Sequence, residues 1–130
     1  MPKIQDLSNL IIHKFPEGIT ALKLQKLLYY CQAWSLVWEG EEIFSDKIFK
    51  KEHGVHILDT YGFKLYPDFT SEPDLSEFSE DQLETVEEVL EFYGDKGNWY
   101  LTNLIKLEDP WILSAGVINK YLIKDYYENL

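Results

Sequence analysis

Two histidines three residues apart, His53 and His56, with Glu52 and Asp59 flanking them, make the only stretch of the sequence with metal-ligand spacing. Imidazoles at i and i+3 share one side of a helix, and with a carboxylate they could hold a zinc ion and activate a bound water. Gly54 stands between them and favours a turn, and no third histidine lies nearby. A polar turn is therefore the default, and a small metal-dependent hydrolase using His53, His56 and Asp59 ranks behind the non-enzymatic readings. Cys31 falls at helical spacing among Leu24, Leu27, Leu28 and Trp34, which marks a buried structural thiol rather than a nucleophile. His13, near the end of a first helical pattern, reads as a surface or capping residue. The chain has no phosphate-binding glycine loop, no nucleophile elbow and no cysteine pair. No catalytic, cofactor-binding or metal-binding residue is assigned, no cofactor is expected, and the chain is read as a non-enzyme.

The remaining chemistry is charge. Twelve basic residues, all lysine, stand against 23 acidic ones, for a net charge of −11. The surplus is local: residues 67–95 hold eleven acids and no lysine, while the rest of the chain balances, twelve acids against twelve lysines. Phosphate neutralisation supplies most non-specific nucleic-acid affinity, so direct nucleic-acid binding is disfavoured, as is an anionic membrane surface. A basic protein partner is the better electrostatic match. Glu80, Glu84, Glu87, Glu88 and Glu91 recur on the outward side of one amphipathic pattern and are the candidate partner-binding face. The bland alternative is a solvated face that keeps the protein soluble. Trp34 and Trp38 read as core, and Tyr126 and Tyr127 as exposed anchors.

Helical periodicity supplies the elements that must carry these groups. One helix is expected from Ile4 to Lys14. The strongest pattern runs from Ala21 to Glu39, with Thr20 as N-cap and Gly40 as stop; apolar residues on two stripes make it central and buried on most sides. A short helix near Asp46–Glu52, a turn at Gly54 and another short helix over Val55–Tyr61 follow. Residues 67–79 read as a surface loop. Ser79-Glu80-Asp81-Gln82 has the form of a capping box and opens a helix with Leu83, Val86, Leu90 and Tyr93 inward, closed by Gly94. Further helices are expected over Asn98–Leu107 and Lys120–Glu128, and Asp109-Pro110-Trp111 looks like a helix start. The expectation is all-α: a single compact domain over residues 1–130, with about six or seven helices around the buried helix at 21–39.

A chain of 130 residues suits one domain with a core that needs no disulfide. Its hydrophobic share of 45% argues against intrinsic disorder. A lone cysteine, an N-terminus without an apolar stretch and the lack of a membrane-length apolar run lead us to expect a cytoplasmic protein.

The run Ile19-Thr20-Ala21-Leu22-Lys23-Leu24-Gln25-Lys26-Leu27-Leu28-Tyr29-Tyr30-Cys31-Gln32-Ala33-Trp34 resembles the Panacea domain family of SocA-like and GepA-like phage-associated antitoxins. That family reads close to T-x-x-K-L-Q-K-L-L-Y-Y-A-Q-A-W at this point. Glu41-Glu42-Ile43-Phe44 is similar to its P-L-F segment, Glu108-Asp109-Pro110-Trp111 to its E-D-P-W element, and Ile118–Tyr127 to its closing helix. The family's A-W-x-x-G-P-V element is altered: aligned on Gly54, Lys50 and Lys51 stand at the Ala-Trp positions and Val55 and His56 at Pro-Val. The resemblance implies structural roles for Leu24, Gln25, Lys26, Leu27, Leu28, Tyr29, Trp34, Gly54, Pro110 and Trp111. It also implies a toxin–antitoxin system, in which an antitoxin neutralises a cognate toxin by protein–protein contact. The alternative it implies is a proteolytic adaptor that delivers a partner to a ClpXP-type protease, for which Tyr126–Leu130 is the available tail.

Overall fold

The computed structural model describes residues 1–60 and 63–130. In chain order these form α1 (Ile4–Ile12), β1 (Ile19–Thr20), α2 (Ala21–Trp38), β2 (Phe49–Lys51), β3 (Gly54–His56), β4 (Lys64–Leu65), a 3-10 turn (Pro67–Phe69), α3 (Glu80–Tyr93), α4 (Asn98–Lys106), α5 (Asp109–Leu113) and α6 (Lys120–Glu128). The fold is all-α, with six α-helices and two very short antiparallel strand pairs, β1–β4 and β2–β3, among the described residues.

The central helix forms where the pattern places it. Thr20 accepts a hydrogen bond from the Lys23 amide at 3.1 Å, and Gly40 leaves the helix with φ of +75°, a conformation that favours glycine. Between these ends α2 packs against α1, α3, α4, α6, β1 and β3, and residues 24–33 are all buried. An element with neighbours on every side carries no polar stripe, which explains apolar residues all around it. The α3 capping box also forms, Ser79 Oγ taking the Gln82 amide and Gln82 Oε1 taking the Ser79 amide. α1 stops at Ile12, two residues short of the expected end, because the Lys14 and Phe15 amides bond back three residues and tighten the last turn.

The region after Gly40 differs from expectation. No helix spans Asp46–Glu52, and the Val55–Tyr61 helix is absent over its described part; Tyr61 itself lies outside the described residues. Instead β2 and β3 form a hairpin, and β2 is paired on its other edge by residues 116–118, through Lys50 N to Gly116 O at 2.9 Å and Ile118 N to Ile48 O at 2.8 Å. Two glutamines two turns apart on α2 fix these loops. Gln32 takes the Ile43 amide and donates to the Phe44 carbonyl, both within 3 Å. Gln25 takes the Ile57 and Leu58 amides and donates to the Leu58 carbonyl. Backbone groups satisfied by buried side chains need no helix of their own.

Lys26 completes this arrangement. Its side chain is fully buried on α2 and its ammonium donates to the His53 carbonyl at 2.9 Å. It runs so close under the hairpin that a Cβ on Gly54, whose φ is +114°, would meet Lys26 Cε at 3.0 Å. Burial pushes the Lys26 ammonium down to about 8, with a smaller push from Lys106. Lys50 takes over the other side, donating to the Trp111 and Ser114 carbonyls at the end of α5 while sitting 4.8 Å from the Trp111 ring centre.

Candidate functional site

Each sequence-derived candidate has a definite place. His53 lies in the hairpin turn, His56 ends β3 and Asp59 follows it: the histidine rings are 5.7 Å apart, and His56 Nε2 pairs with Asp59 Oδ1 at 2.8 Å. Among the described residues no three His, Cys, Asp or Glu side chains gather closely enough to hold a metal ion. Cys31 is buried, and its thiol is pushed up to about 12 by that burial. His13 Nε2 lies 3.1–3.3 Å from the Thr70 and Ser71 carbonyls and ties α1 to the loop after the 3-10 turn. Leu24, Gln25, Lys26, Leu27, Leu28 and Tyr29 lie in the buried part of α2, Trp34 is half-buried, Gly54 starts β3, and Pro110 is buried beside the half-buried Trp111.

Glu80, Glu84, Glu87, Glu88 and Glu91 are all exposed along α3. Helical geometry divides them. Glu84 and Glu88, with Asp81, line a depression of about 460 Å³ shared with Trp38, Glu39 and Thr85. Glu80, Glu87 and Glu91 are not among its lining residues. Thr85 donates to Glu39 Oε2 at 2.6 Å and so holds α3 against the end of α2 beneath this depression.

Next to it lies a second depression of about 500 Å³, at the meeting of α2, α3, α4 and α6. Trp34 and Trp38 come from successive turns of α2, Val89, Phe92 and Tyr93 from α3, Tyr100 and Leu104 from α4, and Tyr126 from α6. Glu88 and Trp38 border both depressions. The two tryptophan rings stack with centres 4.9 Å apart, and Trp34 Nε1 donates to the Tyr93 hydroxyl at 3.0 Å. Trp38 is thus not core: half of it is exposed, at the edge shared by the two depressions.

Glu108 also lines this groove. It is the N-cap residue of α5 and only 6% exposed. Its Oε1 accepts from Tyr30 at 2.9 Å and from Tyr127 at 2.7 Å, and the Tyr29 hydroxyl lies 3.4 Å from that of Tyr127. Burial raises the Glu108 carboxyl above its ordinary value, against the two tyrosine bonds that favour the carboxylate. Burial likewise raises Tyr30 and Tyr127, with Glu108 adding to the effect. Tyr127 is therefore no exposed anchor: it is 2% exposed, its hydroxyl held by Glu108 and its ring edge-on to Tyr29 and Tyr30. Tyr126, half-buried, faces the groove.

The groove residues Trp38, Phe92, Tyr100, Leu104 and Glu108 were not legible as a site, whereas Leu130 belongs to the Tyr126–Leu130 tail already named. One signal was present: Trp34 and Trp38 stand one turn apart near the end of a helix already covered elsewhere, where the second ring has little left to pack on. Glu108 stands out in sequence only as the first residue of the E-D-P-W-like element, and its role beside the groove shows when Tyr30 and Tyr127, distant in the chain, close around it.

The arrangement holds no nucleophile–base pair. It offers an acidic helix face running into an aromatic groove, the kind of surface that binds a cationic, partly apolar protein segment. A family model described as "Antitoxin SocA-like, Panacea domain" matches residues 24–112 of this chain. No curated protein and no solved structure matches it.

Proposed function

The chain belongs to the SocA-like Panacea antitoxin family, and from that premise we propose that it is an antitoxin that neutralises a cognate toxin by direct contact, acting in the cytoplasm by binding and not by catalysis. The contacting face is α3 with the groove beside it. One observation carries the placement: Glu88 and Trp38 border both depressions, so acidic and aromatic surfaces form one continuous patch. The lack of lysine over 67–95 leaves the α3 side of the patch acidic and favours fast encounter with a basic partner. Aromatic residues supply the anchors that such interfaces concentrate in their centres. The adaptor alternative needs a second, separate surface, and Tyr126 and Leu130 from its candidate tail line this same groove.

The test is growth rescue. The open reading frame adjacent to this gene is expressed alone and together with this protein, followed by pull-down. Toxicity alone, rescue together and co-purification support the reading; a harmless neighbour that does not co-purify overturns it. Replacing Glu84, Glu87 and Glu88 together by Lys is expected to weaken the complex at least tenfold, about 1.4 kcal/mol, with folding retained because all three are exposed. Unchanged affinity at low salt removes α3 from the interface.

A further inference from the structure

The groove contains more than apolar walls, and its chemistry narrows what can enter. Trp34, Trp38, Tyr93 and Tyr126 present aromatic surface around a space that also borders Glu108. Glu108 is more than nine-tenths buried, and its two tyrosine bonds fall on the same oxygen, Oε1. Among the described residues nothing donates to Oε2. Oε2 is not one of the buried atoms left without a partner and is therefore open to the groove, and a carboxylate oxygen placed beside ring faces is suited to a cation. Ring quadrupoles attract ammonium and guanidinium groups over their faces, more strongly where water is excluded.

The chain's own lysines show how its surface rings are used. Lys96 lies 4.8 Å from the Phe92 ring centre and 5.7 Å from that of Tyr100, at the outer edge of the groove. No described lysine lies over Trp34, Trp38, Tyr93 or Tyr126. The outer rings are thus served from within the chain, and Trp34, Trp38 and Tyr126 are not, while the Tyr93 ring is stacked on Tyr30 with centres 3.8 Å apart.

We propose that this groove is a cage for the cationic end of one arginine or lysine side chain of a protein partner, with Glu108 Oε2 as its counter-charge and Glu88 at the entrance. Partner residues flanking that side chain lie on Trp38 and Phe92, which are exposed. This inference rests on the reading that the α3 face meets a protein, and it adds which side chain is read there. The occupant is a protein segment and not a free amine, because the entrance continues into the acidic depression lined by Glu84 and Asp81, which suits a longer basic segment.

The test uses the full chain and two short acetylated Leu/Gln amphipathic peptides, identical except that one carries a central arginine and the other citrulline, its uncharged isostere. Binding is followed by tryptophan fluorescence. The arginine peptide is expected to bind at least tenfold more tightly. Glu108→Gln keeps an acceptor for Tyr30 and Tyr127 and should erase that difference, whereas Trp38→Ala, an exposed position, should weaken the arginine peptide without unfolding the chain. Equal affinity for the two peptides, no binding of either, or an undiminished preference in Glu108→Gln overturns the cage. Tighter binding of n-butylguanidinium than of the arginine peptide overturns the protein-segment assignment. Growth rescue is scored separately, so an antitoxin whose rescue is unaffected by Glu108→Gln and Trp38→Ala leaves the function standing and refutes the cage.

Discussion

Burying a lysine ammonium under a hairpin has a consequence that can be measured as a function of pH. Lys26 titrates at about 8 in the folded chain against 10.5 for an ordinary lysine. Below pH 8 both folded and unfolded chains hold the proton, and the folded state bears the full cost of the buried charge. As the pH rises through 8 the folded chain sheds the proton while the unfolded chain keeps it up to about 10.5, so stability rises with pH. The full difference corresponds to about 3 kcal/mol, of which about 1 kcal/mol appears between pH 7 and pH 9. Lys23, lowered by burial as well, adds to the rise. Tyr29, Tyr30, Tyr93 and Tyr127 are raised by burial; the unfolded chain ionises its tyrosines first, so stability falls again above about pH 10. Replacing Lys26 by Met keeps most of the stem's packing and removes the charge, at the cost of leaving the His53 carbonyl without its donor, about 1 kcal/mol. Urea unfolding followed by circular dichroism, at pH 7, 8 and 9, is expected to show a rising stability in the parent and most of that rise missing in Lys26→Met. The variant should also be the more stable of the two at pH 7. An undiminished rise in Lys26→Met would refute the argument.

Three further outcomes follow from the same packing. Gly54→Ala should cost at least about 2 kcal/mol, since a side chain is disfavoured at φ of +114° and its Cβ meets Lys26 Cε at 3.0 Å; the urea midpoint reports it. Gln32→Ala strands the buried Ile43 amide and Phe44 carbonyl and should cost about 2–5 kcal/mol, read in the same experiment. Glu108→Gln changes the acid side: the raised Glu108 carboxyl contributes stability below its unfolded value that is lost as the pH rises through its folded value, so the parent should lose stability on going up from pH 4 and the Gln variant should lose less.

The sequence announces those elements whose reasons are local. Thr20, the Ser79–Gln82 box and the two-stripe apolar pattern of α2 set helix positions through neighbours a few residues away, and α2, α3, α4 and α6 lie within a residue or so of where periodicity puts them. The stretch after Gly40 depends on distant partners instead: Gln25 and Gln32 supply its hydrogen bonds, and Gly116 and Ile118 pair its middle strand. Its apolar residues, Ile43, Phe44, Ile48, Val55 and Ile57, fit an amphipathic pattern and a buried loop equally well. The candidate face was half legible for a similar reason. Five glutamates on one helix side show in the spacing alone, whereas the groove beside them draws on four helices, and only assembly shows that Trp38 stays half exposed while Tyr127 is enclosed.

That the groove takes Trp34 and Trp38 from α2 and Tyr126 from α6 bears on when the protein becomes competent during synthesis. The acidic helix is translated well before α6, but the aromatic wall closes only once α6 has left the ribosome and docked. At about 5–20 residues per second, the interval from Trp38 to Tyr126 is roughly 4–18 s. A chain stalled or cut before α6 would carry the charged face without the groove, and could attract a basic partner without holding it.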